Sequence, residues 1–290
     1  MTKNATFASK LRSGVLAHAM AAHNPLAARL AERAGFDAIW GSGFELAASY
    51  AVPDASILPM STHLEMTRAI AATVSIPLIA DIDTGFGNAI NVSYAIPQFE
   101  AAGASAVVME DKTFPKDTSL RDGGRQELVR IEEFQGKVAA ACAARGDRDL
   151  MVIARVEALI AGLGQEEAQR RARAYEEAGA DAILIHSKSK TPDEVLEFVR
   201  GWHGRVPLVL VPTAYPQLTE AAIAALAKVG LVIYGNHAIR AAVGAMQAAF
   251  AQIRREGGIA GVDKTLPTVG DIIELQGDAR MRALESKFLR

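Results

Sequence analysis

The stretch EAGADAILIH, residues 177–186, contains a helix end, a glycine and an apolar strand in direct succession. A helical pattern ends at Ala178, and Gly179 fits the position after a helix end, where a positive φ is needed. The short apolar run from Ala182 to Ile185 is typical of a strand that is buried on both faces. His186 follows at once, so a polar side chain stands where the strand ends. The stretch therefore predicts one helix-to-strand step of an α/β fold.

The same step recurs along the chain. The other copies are RAGFDAIW at residues 33–40, AAGASAVVM at 101–109 and KVGLVIY at 228–234. The glycines expected after the helix ends of these copies are Gly35, Gly103 and Gly230. A second kind of apolar strand lies between the copies, in VLAHAM, VSIPLIADID, DLMVIARVE and RVPLVLVPT. Together the two kinds predict eight strands in alternation with helices.

Three of the connecting segments carry clear helix signals. Residues 164–178 begin with Glu166 and Glu167, since negative charge is favourable at a helix N-terminus, and continue with apolar residues at helical spacing. A Thr-Pro pair precedes the helix that we predict for residues 193–202. A long helix is predicted for residues 237–255, after the eighth strand.

Alternating helices and apolar strands predict a parallel sheet that is covered by helices. Eight units favour a closed (β/α)8 barrel of the TIM type over an open, doubly wound sheet. No GxGxxG motif follows the first strand, which also disfavours a dinucleotide-binding sheet. We expect residues 1–290 to form a single barrel domain with a helical extension from about residue 258 to residue 290.

The composition excludes several classes of protein. The formal net charge is -2, the pI is about 6.3, and no basic stripe is interleaved with aromatic residues, so we expect no nucleic-acid partner. No run of about 18 apolar residues occurs, and the N-terminus MTKNATFASK lacks the apolar region of a signal peptide, so we expect no membrane association. A single cysteine, Cys142, cannot form an internal disulfide. These features favour a cytoplasmic protein.

Polar side chains follow nearly every predicted strand, which is where the reacting groups of a barrel enzyme lie. These strand-end residues include Ser42, Asp81, Asp83, Glu110, Asp111, Arg155, Glu157, His186, Thr213, Asn236 and His237. Asp81 with Asp83, and Arg155 with Glu157, are two residues apart, so each pair projects to one face of its strand. Oxygen ligands with few imidazoles suit Mg²⁺ or Mn²⁺ rather than zinc. The pattern therefore predicts a metal site at the mouth of the barrel.

Each of these patterns also has a purely structural interpretation. An Asp-x-Asp pair after a strand is often a turn or a helix cap, and Arg155 with Glu157 also fits an ion pair at the barrel rim. Ser42, between two glycines, fits a tight turn as well as a nest of backbone N–H groups for a carboxylate. The coincidence of polar groups at nearly all strand ends favours the functional interpretation.

The motifs together resemble the phosphoenolpyruvate mutase and isocitrate lyase superfamily, and within it the phosphonopyruvate-processing branch. The resemblance covers nearly the whole chain and is carried by WGSG (40–43), DIDTGFGN (81–88), EDKTFPKDTS (110–119), ARVEALIAG (154–162), ADAILIHSK (180–188) and VPT (211–213). The carbon–carbon lyases of the superfamily have a mobile loop that resembles K-[KR]-C-G-H and supplies a catalytic cysteine. No Cys or His occurs between Glu110 and Arg125, which argues against a lyase.

The resemblance implies Mg²⁺ as the cofactor, with Mn²⁺ or Co²⁺ as substitutes. Asp81 is then expected to bind the metal directly, while Asp54, Asp83 and Glu110 act through metal-bound water. The resemblance also implies a homodimer or homotetramer in which the eighth helix is swapped between protomers. Such a swap suits the long helix predicted for residues 237–255.

The resemblance further implies how the substrate, 3-phosphonopyruvate, is held. Trp40, at the end of the second strand, is expected to bind the substrate, and the residues expected to hold its carboxylate are Ser42, Gly43 and Phe44. Ser42 is expected to act through its side chain, and the two residues after it through their backbone N–H groups. The phosphoryl group is expected to contact Arg155 and His186, and a gating loop carrying the catalytic Lys116 is expected to cover the pocket.

The loop distinguishes two reactions of this substrate. Mutases have Asn two residues after the loop lysine, as in K-x-N-S, whereas this chain reads Lys116-Asp117-Thr118-Ser119. Thr118 resembles the hydrolytic members of the branch, so the expected reaction is Mg²⁺-dependent cleavage of the P–C bond to pyruvate and phosphate through a stabilised enolate. Thr118 either orients water or accepts the phosphoryl group, and both routes stay open here. The alternatives are the mutase reaction, cleavage of a 2-oxo acid such as oxaloacetate, and an inert barrel that binds an anion.

Overall fold

The computed structural model describes residues 2–119, 121 and 123–290, and it contains a closed barrel of eight parallel strands. Neighbours along the chain pair with each other, and the first strand pairs with the last. The strands are β1 (Ala17–Ala22), β2 (Ala38–Gly41), β3 (Leu78–Asp81), β4 (Ala106–Glu110), β5 (Met151–Val156), β6 (Ala182–Ile185), β7 (Leu208–Leu210) and β8 (Val229–Tyr234). The prediction of a (β/α)8 barrel is confirmed.

Helices precede β1, connect the strands and continue after β8. Among the described residues they are α1 (Lys3–Arg12), α2 (Pro25–Arg33), α3 (Gly43–Ser49), α4 (Met60–Ala71), α5 (Ala89–Ala101), α6 (Ile131–Ala144), α7 (Gly164–Glu177), α8 (Asp193–Gly201), α9 (Glu220–Ala224), α10 (His237–Glu256), α11 (Val269–Gln276) and α12 (Asp278–Phe288). The three helices with clear sequence signals are α7, α8 and α10, and each prediction was correct to within one residue at either end.

Alternate residues of each strand face the barrel axis, and this alternation places the polar strand ends. Inward-facing side chains, among them Trp40, Ile79, Val108, Ile153 and Leu184, form one cluster with residues of α1. The intervening residues of the strands pack against the surrounding helices. Because the side-chain period of a strand is two, the next inward positions at the carboxyl ends are Ser42, Asp81, Glu110, Arg155 and His186.

Glycines follow the helix ends at three of the four predicted positions, with φ of 90° at Gly35, 95° at Gly103 and 105° at Gly179. The prediction for Gly230 is wrong, because this residue lies inside β8 and has no positive φ. Ala227, with φ of 52°, takes the left-handed conformation before that strand instead. A Cβ atom at position 230 would lie 2.7 Å from the carbonyl oxygen of Leu11. Close packing of α1 against β8 therefore requires this glycine.

Gly230→Ala is expected to lower the free energy of unfolding by about 1–3 kcal/mol, the usual cost of overpacking. The clash is with a backbone oxygen of Leu11, so α1 must move to relieve it. Gly136→Ala is the matched control, because Gly136 is exposed in α6 and a Cβ there would meet no atom within 4 Å. Urea unfolding of both variants measures the difference. Equal stability of the two variants would contradict this packing of α1.

By its internal contacts the chain divides into two compact units, Met1–Ile239 and Arg240–Arg290. The first unit contains the barrel. In the second, Thr268 and Asp271 cap the start of α11 reciprocally, and Gly277, with φ of 82°, separates α11 from α12. The helical segments expected beyond residue 258 are present, while the single domain over residues 1–290 stays a prediction. In the described part of the chain, no helix has both the length and the apolar character needed to span a bilayer.

Candidate active site

The carboxyl ends of the strands surround a pocket, and the structure brings to it all of the residues predicted to bind the metal or the substrate or to act in catalysis. Those that line the pocket are Trp40, Ser42, Phe44, Asp54, Asp81, Lys116, Thr118, Arg155 and His186. The other three are in contact with lining residues: Gly43 with Asp81, and both Asp83 and Glu110 with Lys116. Their assembly in one place follows from the inward alternation of the strands together with the loops after β2 and β4.

Three carboxylates surround the ammonium group of Lys116. Its Nζ lies 2.7 Å from Asp83 Oδ1, 3.0 Å from Asp54 Oδ1 and 3.8 Å from Glu110 Oε1. Burial opposes the charge of Lys116, but the neighbouring carboxylates outweigh it and raise the pKa of the lysine well above its usual value. Lys116 is therefore a permanent cation within the carboxylate cluster, which we define as Asp54, Asp81, Asp83 and Glu110.

Asp81 lies beside the same lysine, and burial destabilises its negative charge. Its Oδ1 accepts a hydrogen bond from the backbone N–H of Asp83, and its Oδ2 accepts one from that of Gly43, each at 3.1 Å. Burial raises the pKa of Asp81 to about 7, with Lys116 lowering it and Asp83 raising it further. Burial also raises the pKa of Asp83, but there the attraction of Lys116 wins and the net shift is downward.

The carboxylate cluster fits a hydrated Mg²⁺ ion. Glu110 Oε1 is buried and has no hydrogen-bond partner among the described residues, and Asp81 ionises only against the effect of burial. Both observations indicate an excess of negative charge. Mg²⁺ usually binds one or two protein carboxylates and keeps several of its waters. Among the described residues, no group of three or more Asp, Glu, His or Cys side chains is arranged to hold a metal ion.

Arg155 and His186 form a second group in the pocket, and Glu157 lies beside both of them. Arg155 Nε donates to Glu157 Oε1 at 2.6 Å and lies 3.3 Å from Glu110 Oε2. Burial opposes the charges of Arg155 and Glu157, but their mutual attraction outweighs it. As a result the pKa of Arg155 is raised and the pKa of Glu157 is well below its usual value. This ion pair therefore stays charged.

His186 is neutral at pH 7, because burial and then the charge of Arg155 lower its pKa from 6.5. Arg155 Nη2 lies 2.8 Å from His186 Nδ1, and a guanidinium group can only donate, so Nδ1 is the acceptor. Glu157 Oε1 also lies 3.2 Å from Nδ1, but a carboxylate oxygen and an unprotonated ring nitrogen are both acceptors and form no hydrogen bond. The shorter contact, with Arg155, therefore decides the tautomer. The ring proton is therefore on Nε2, where it can donate to a bound anion.

Ser42 and the two residues after it begin α3 at the edge of the pocket. Ser42 Oγ accepts a hydrogen bond from the backbone N–H of Glu45 at 3.2 Å, which leaves its own proton for donation. The N–H of Gly43 donates to Asp81, and a Cβ atom at Gly43 would lie 3.0 Å from Asp83 Oδ1. Glycine thus allows the backbone to approach the carboxylates. Binding of the substrate carboxylate by this N–H stays a prediction.

Asp111 belongs to a different network from its neighbour Glu110. Its Oδ2 accepts hydrogen bonds from Tyr175 Oη at 2.7 Å and from Arg171 Nη1 at 2.9 Å, and its Oδ1 accepts one from the backbone N–H of Glu157 at 2.9 Å. Burial raises the pKa of Asp111 despite these partners. Of the two adjacent carboxylates at the end of β4, only Glu110 therefore belongs to the carboxylate cluster, while Asp111 connects the strand ends to α7.

Lys112, Ser119 and Glu157 form a buried cluster beside Thr118, and none of them was predicted from the sequence to bind the metal or the substrate. Ser119 Oγ donates to Glu157 Oε2 at 2.5 Å and accepts a hydrogen bond from Lys112 Nζ at 2.6 Å. The signal for Glu157 was its position two residues after Arg155, on the same face of the strand. Lys112 and Ser119 lie in an irregular loop, where no periodicity indicates which side chains meet.

Comparisons with known proteins agree with this geometry. The family model described as phosphoenolpyruvate phosphomutase matches residues 7–254. The chain is 77% identical to phosphonopyruvate hydrolase of Variovorax sp. (strain Pal2) over the full length of both, and 39% identical to phosphoenolpyruvate phosphomutase of Tetrahymena pyriformis over 99% of this chain and 95% of that one. A crystal structure of phosphonopyruvate hydrolase in complex with oxalate and Mg²⁺ matches with a TM-score of 0.96, at 75% identity and full coverage of both chains. The resemblance of the motifs is thus confirmed, and the chain belongs to the phosphoenolpyruvate phosphomutase family.

Proposed function

We propose that this protein hydrolyses the P–C bond of 3-phosphonopyruvate to give pyruvate and phosphate, with Mg²⁺ as its cofactor. The observation that carries the proposal is that Thr118, Arg155 and His186 line one pocket together with residues of the carboxylate cluster. Identity of 77% over the full length of a phosphonopyruvate hydrolase supports the same reaction. The loop also carries Thr118 instead of the Asn of the mutase motif.

The carboxylate cluster is the proposed metal site. Asp81 would bind the ion directly, and Asp54, Asp83 and Glu110 would act through water. When bound, Mg²⁺ supplies Lewis-acid stabilisation for the negative charge that develops on the pyruvate fragment. The raised pKa of Asp81, about 7, supports this assignment, because a further cation would relieve the cost of its buried charge.

Arg155 and His186 are the proposed binding groups for the phosphoryl moiety. When the P–C bond breaks, its electron pair stays on carbon as the pyruvate enolate, and the phosphoryl group passes through a loose, metaphosphate-like state. The Arg155 guanidinium and the Nε2–H of His186 donate hydrogen bonds to the phosphoryl oxygens as negative charge spreads over them. A water oxygen then forms the new P–O bond and releases a proton, and the enolate takes up a proton to become pyruvate.

Thr118 serves the step that separates hydrolysis from rearrangement. Its hydroxyl either orients the attacking water or attacks phosphorus itself, in which case the phosphothreonine is hydrolysed afterwards. Both routes end in phosphate and both need a hydroxyl at this position. Mass spectrometry of acid-quenched enzyme during turnover separates them, because only the second route produces phosphorylated Thr118.

Product stoichiometry tests the proposed function. With phosphonopyruvate and Mg²⁺, the protein is expected to release pyruvate and phosphate in equal amounts, and exhaustive chelation is expected to stop both. Oxaloacetate, which has no P–C bond, is expected to remain unchanged. A protein that cleaves oxaloacetate and leaves phosphonopyruvate intact would refute the proposal.

We further propose that the protein is a homodimer or homotetramer in which α10 is exchanged between protomers. The only side chain that α10 buries is Ile239. Apolar side chains exposed on α10, α11 and α12 include Val243, Met246, Phe250, Ile272, Leu284 and Phe288. Exposed apolar surface of this kind typically marks an assembly interface. A cytoplasmic location also stays a proposal, which fractionation of expressing cells would test.

Light scattering at micromolar concentration tests the assembly. The expected mass is two or four times the 30.8 kDa of one chain. Phe250→Glu together with Val243→Glu is expected to lower that mass, because both side chains are exposed in the single chain and charge is unfavourable in an apolar interface. A wild-type mass equal to one chain would rule out the proposed oligomer.

A further inference from the structure

The loop after β4 contains a buried lysine for which the proposed mechanism gives no role. The side chain of Lys112 is 1% exposed, and its Nζ donates to the backbone carbonyl of Asp117 at 2.8 Å and to Ser119 Oγ at 2.6 Å. These two residues are the neighbours of Thr118 on either side. We infer that Lys112 is the positioning residue for Thr118, an inference that rests on the proposed function. It fixes the backbone on both sides of Thr118, the residue proposed to orient water or to accept the phosphoryl group.

The contacts of Lys112 hold its ammonium group in a single position. An ammonium group has three donors, and three acceptors face it: Asp117 O, Ser119 Oγ and, at 3.4 Å, Glu157 Oε2. A lysine normally has large rotamer freedom, which burial and three partners remove. The side chain therefore acts as a rigid connection between Glu157, at the end of β5, and the loop.

Ser119 connects this anchor to the groups that bind the phosphoryl moiety. Its Oγ donates to Glu157 Oε2 at 2.5 Å and accepts hydrogen bonds from Lys112 Nζ and, at 3.1 Å, from Arg155 Nη2. One donor and two acceptor sites are all that a hydroxyl group offers, so this side chain is fully bonded. The same Nη2 of Arg155 contacts His186. Thr118 is therefore placed relative to both phosphoryl-binding side chains.

Other contacts of the loop maintain its own shape. The backbone N–H of Thr113 donates to Glu127 O at 3.0 Å at the base of the loop, and the Asp117 carboxylate accepts a hydrogen bond from the backbone N–H of Arg125 at 2.8 Å. Lys116 ties an earlier part of the loop to the carboxylate cluster. The connection from Lys112 to Glu157 differs from these contacts, because it joins the segment around Thr118 to the end of β5.

A change in the position of Thr118 is expected to affect the chemical step rather than binding. A displacement of about 1 Å in a reacting group can lower a rate by about 10²-fold. The side chains proposed to bind the metal and the phosphoryl group do not include Lys112, so its loss is expected to leave KM and Mg²⁺-dependent oxalate binding close to wild type. The predicted signature is a fall in kcat with little change in KM.

Lys112→Met removes the charge and the donors of this side chain and is the primary variant. We expect kcat to fall by at least about tenfold, in line with a small displacement of Thr118. The double variant with Thr118→Ala is decisive, because a residue that acts through Thr118 has no further effect once that hydroxyl is gone. Losses in kcat that multiply in the double variant would overturn the inference. A kcat for Lys112→Met that equals the wild-type value would also overturn it.

Lys228→Met is the matched control. Its Nζ also donates to two backbone carbonyls, of Arg200 at 2.8 Å and of Trp202 at 2.7 Å, but it does not line the pocket. It is expected to lower the melting temperature without changing kcat. Lys112→Gln, whose side-chain amide keeps two N–H donors, replaces the Met variant if that protein does not fold. Lys112→Gln is expected to lose less kcat than Lys112→Met, and this loss must also be absent when Thr118→Ala is added. A loss that persists in that double variant overturns the inference.

Trypsin digestion adds a measurement that does not depend on turnover. Arg121 and Arg125 are exposed on the loop, with 65% and 57% of their side-chain surface accessible. Release of the anchor is expected to speed cleavage after these residues in Lys112→Met, but not in Lys228→Met. If wild-type protein releases no phosphate from phosphonopyruvate, the proposed function fails, and trypsin still decides the role of Lys112. Cleavage of Lys112→Met at the wild-type rate would overturn that role.

Discussion

Asp81→Ala is expected to abolish the Mg²⁺-dependent turnover of phosphonopyruvate. Asp81 is the proposed direct ligand, whereas the other members of the carboxylate cluster are proposed to act through water. Charge stabilisation by a catalytic metal is worth several kcal/mol, and each 1.36 kcal/mol is a factor of ten in rate, so kcat should fall by at least about 10³-fold. Calorimetry with oxalate and Mg²⁺ should show that the variant no longer binds oxalate in a metal-dependent way.

The pH dependence of the free energy of unfolding is a second measurement at Asp81, and it does not depend on turnover. Without metal, burial raises the pKa of Asp81 from 3.8 to about 7, so the folded state binds this proton more tightly than the unfolded state. Ionisation of Asp81 therefore lowers the stability of the metal-free protein as pH rises from 3.8 through about 7. Asp81→Asn keeps an acceptor for the N–H of Gly43 and removes this loss. Urea unfolding of the wild-type and Asp81→Asn proteins at pH 5 and pH 8 measures this loss of stability. Full turnover of phosphonopyruvate by Asp81→Ala would disprove the assignment of Asp81 as the metal ligand.

Thr118→Ala is expected to lower kcat for phosphate release by about 10²- to 10³-fold, the usual effect of removing one catalytic hydrogen-bonding group. Metal and oxalate binding should persist, because the proposed ligands and phosphoryl-binding side chains are unchanged. The loss would then belong to the chemical step. Steady-state kinetics measure kcat, and calorimetry measures binding of oxalate with Mg²⁺.

Two further variants separate the hydroxyl of Thr118 from the shape of the loop. Thr118→Ser keeps the hydroxyl and should retain most of the activity. Thr113→Ala removes a threonine hydroxyl from the same loop but outside the pocket lining, and should leave kcat unchanged. If Thr118→Ala kept kcat within about tenfold of wild type, well short of the expected loss, the hydroxyl would have no part in the hydrolytic step.

The fold and the convergence of the site followed from local patterns in the sequence. Short apolar strands and glycines after helix ends predicted the alternation of elements, and the period of two along each strand placed Asp81, Glu110, Arg155 and His186 on the inner face. Gly230 shows the limit of such patterns. A glycine between a helix and a strand looked like a turn residue, but it is required by the close approach of Leu11 from the other end of the chain.

The contacts between polar residues at the site were not predictable in the same way. Glu110 and Asp111 are adjacent in sequence, yet one faces Lys116 and the other faces Arg171, 60 residues further along on α7. Which cation each carboxylate meets depends on helix packing, which strand periodicity does not specify. The same holds for Lys112, whose partners Asp117, Ser119 and Glu157 come together only because the loop folds back over β5.

Time-resolved phosphorus NMR of wild-type protein with phosphonopyruvate and Mg²⁺ most directly tests whether this pocket transfers the phosphoryl group to water. We expect the signal of phosphonopyruvate to be replaced by that of phosphate from the first spectrum onward, without a signal from phosphoenolpyruvate. Phosphoenolpyruvate as the first product, whether or not it later gives phosphate, would show that the phosphoryl group returns to the enolate oxygen and would contradict direct hydrolysis.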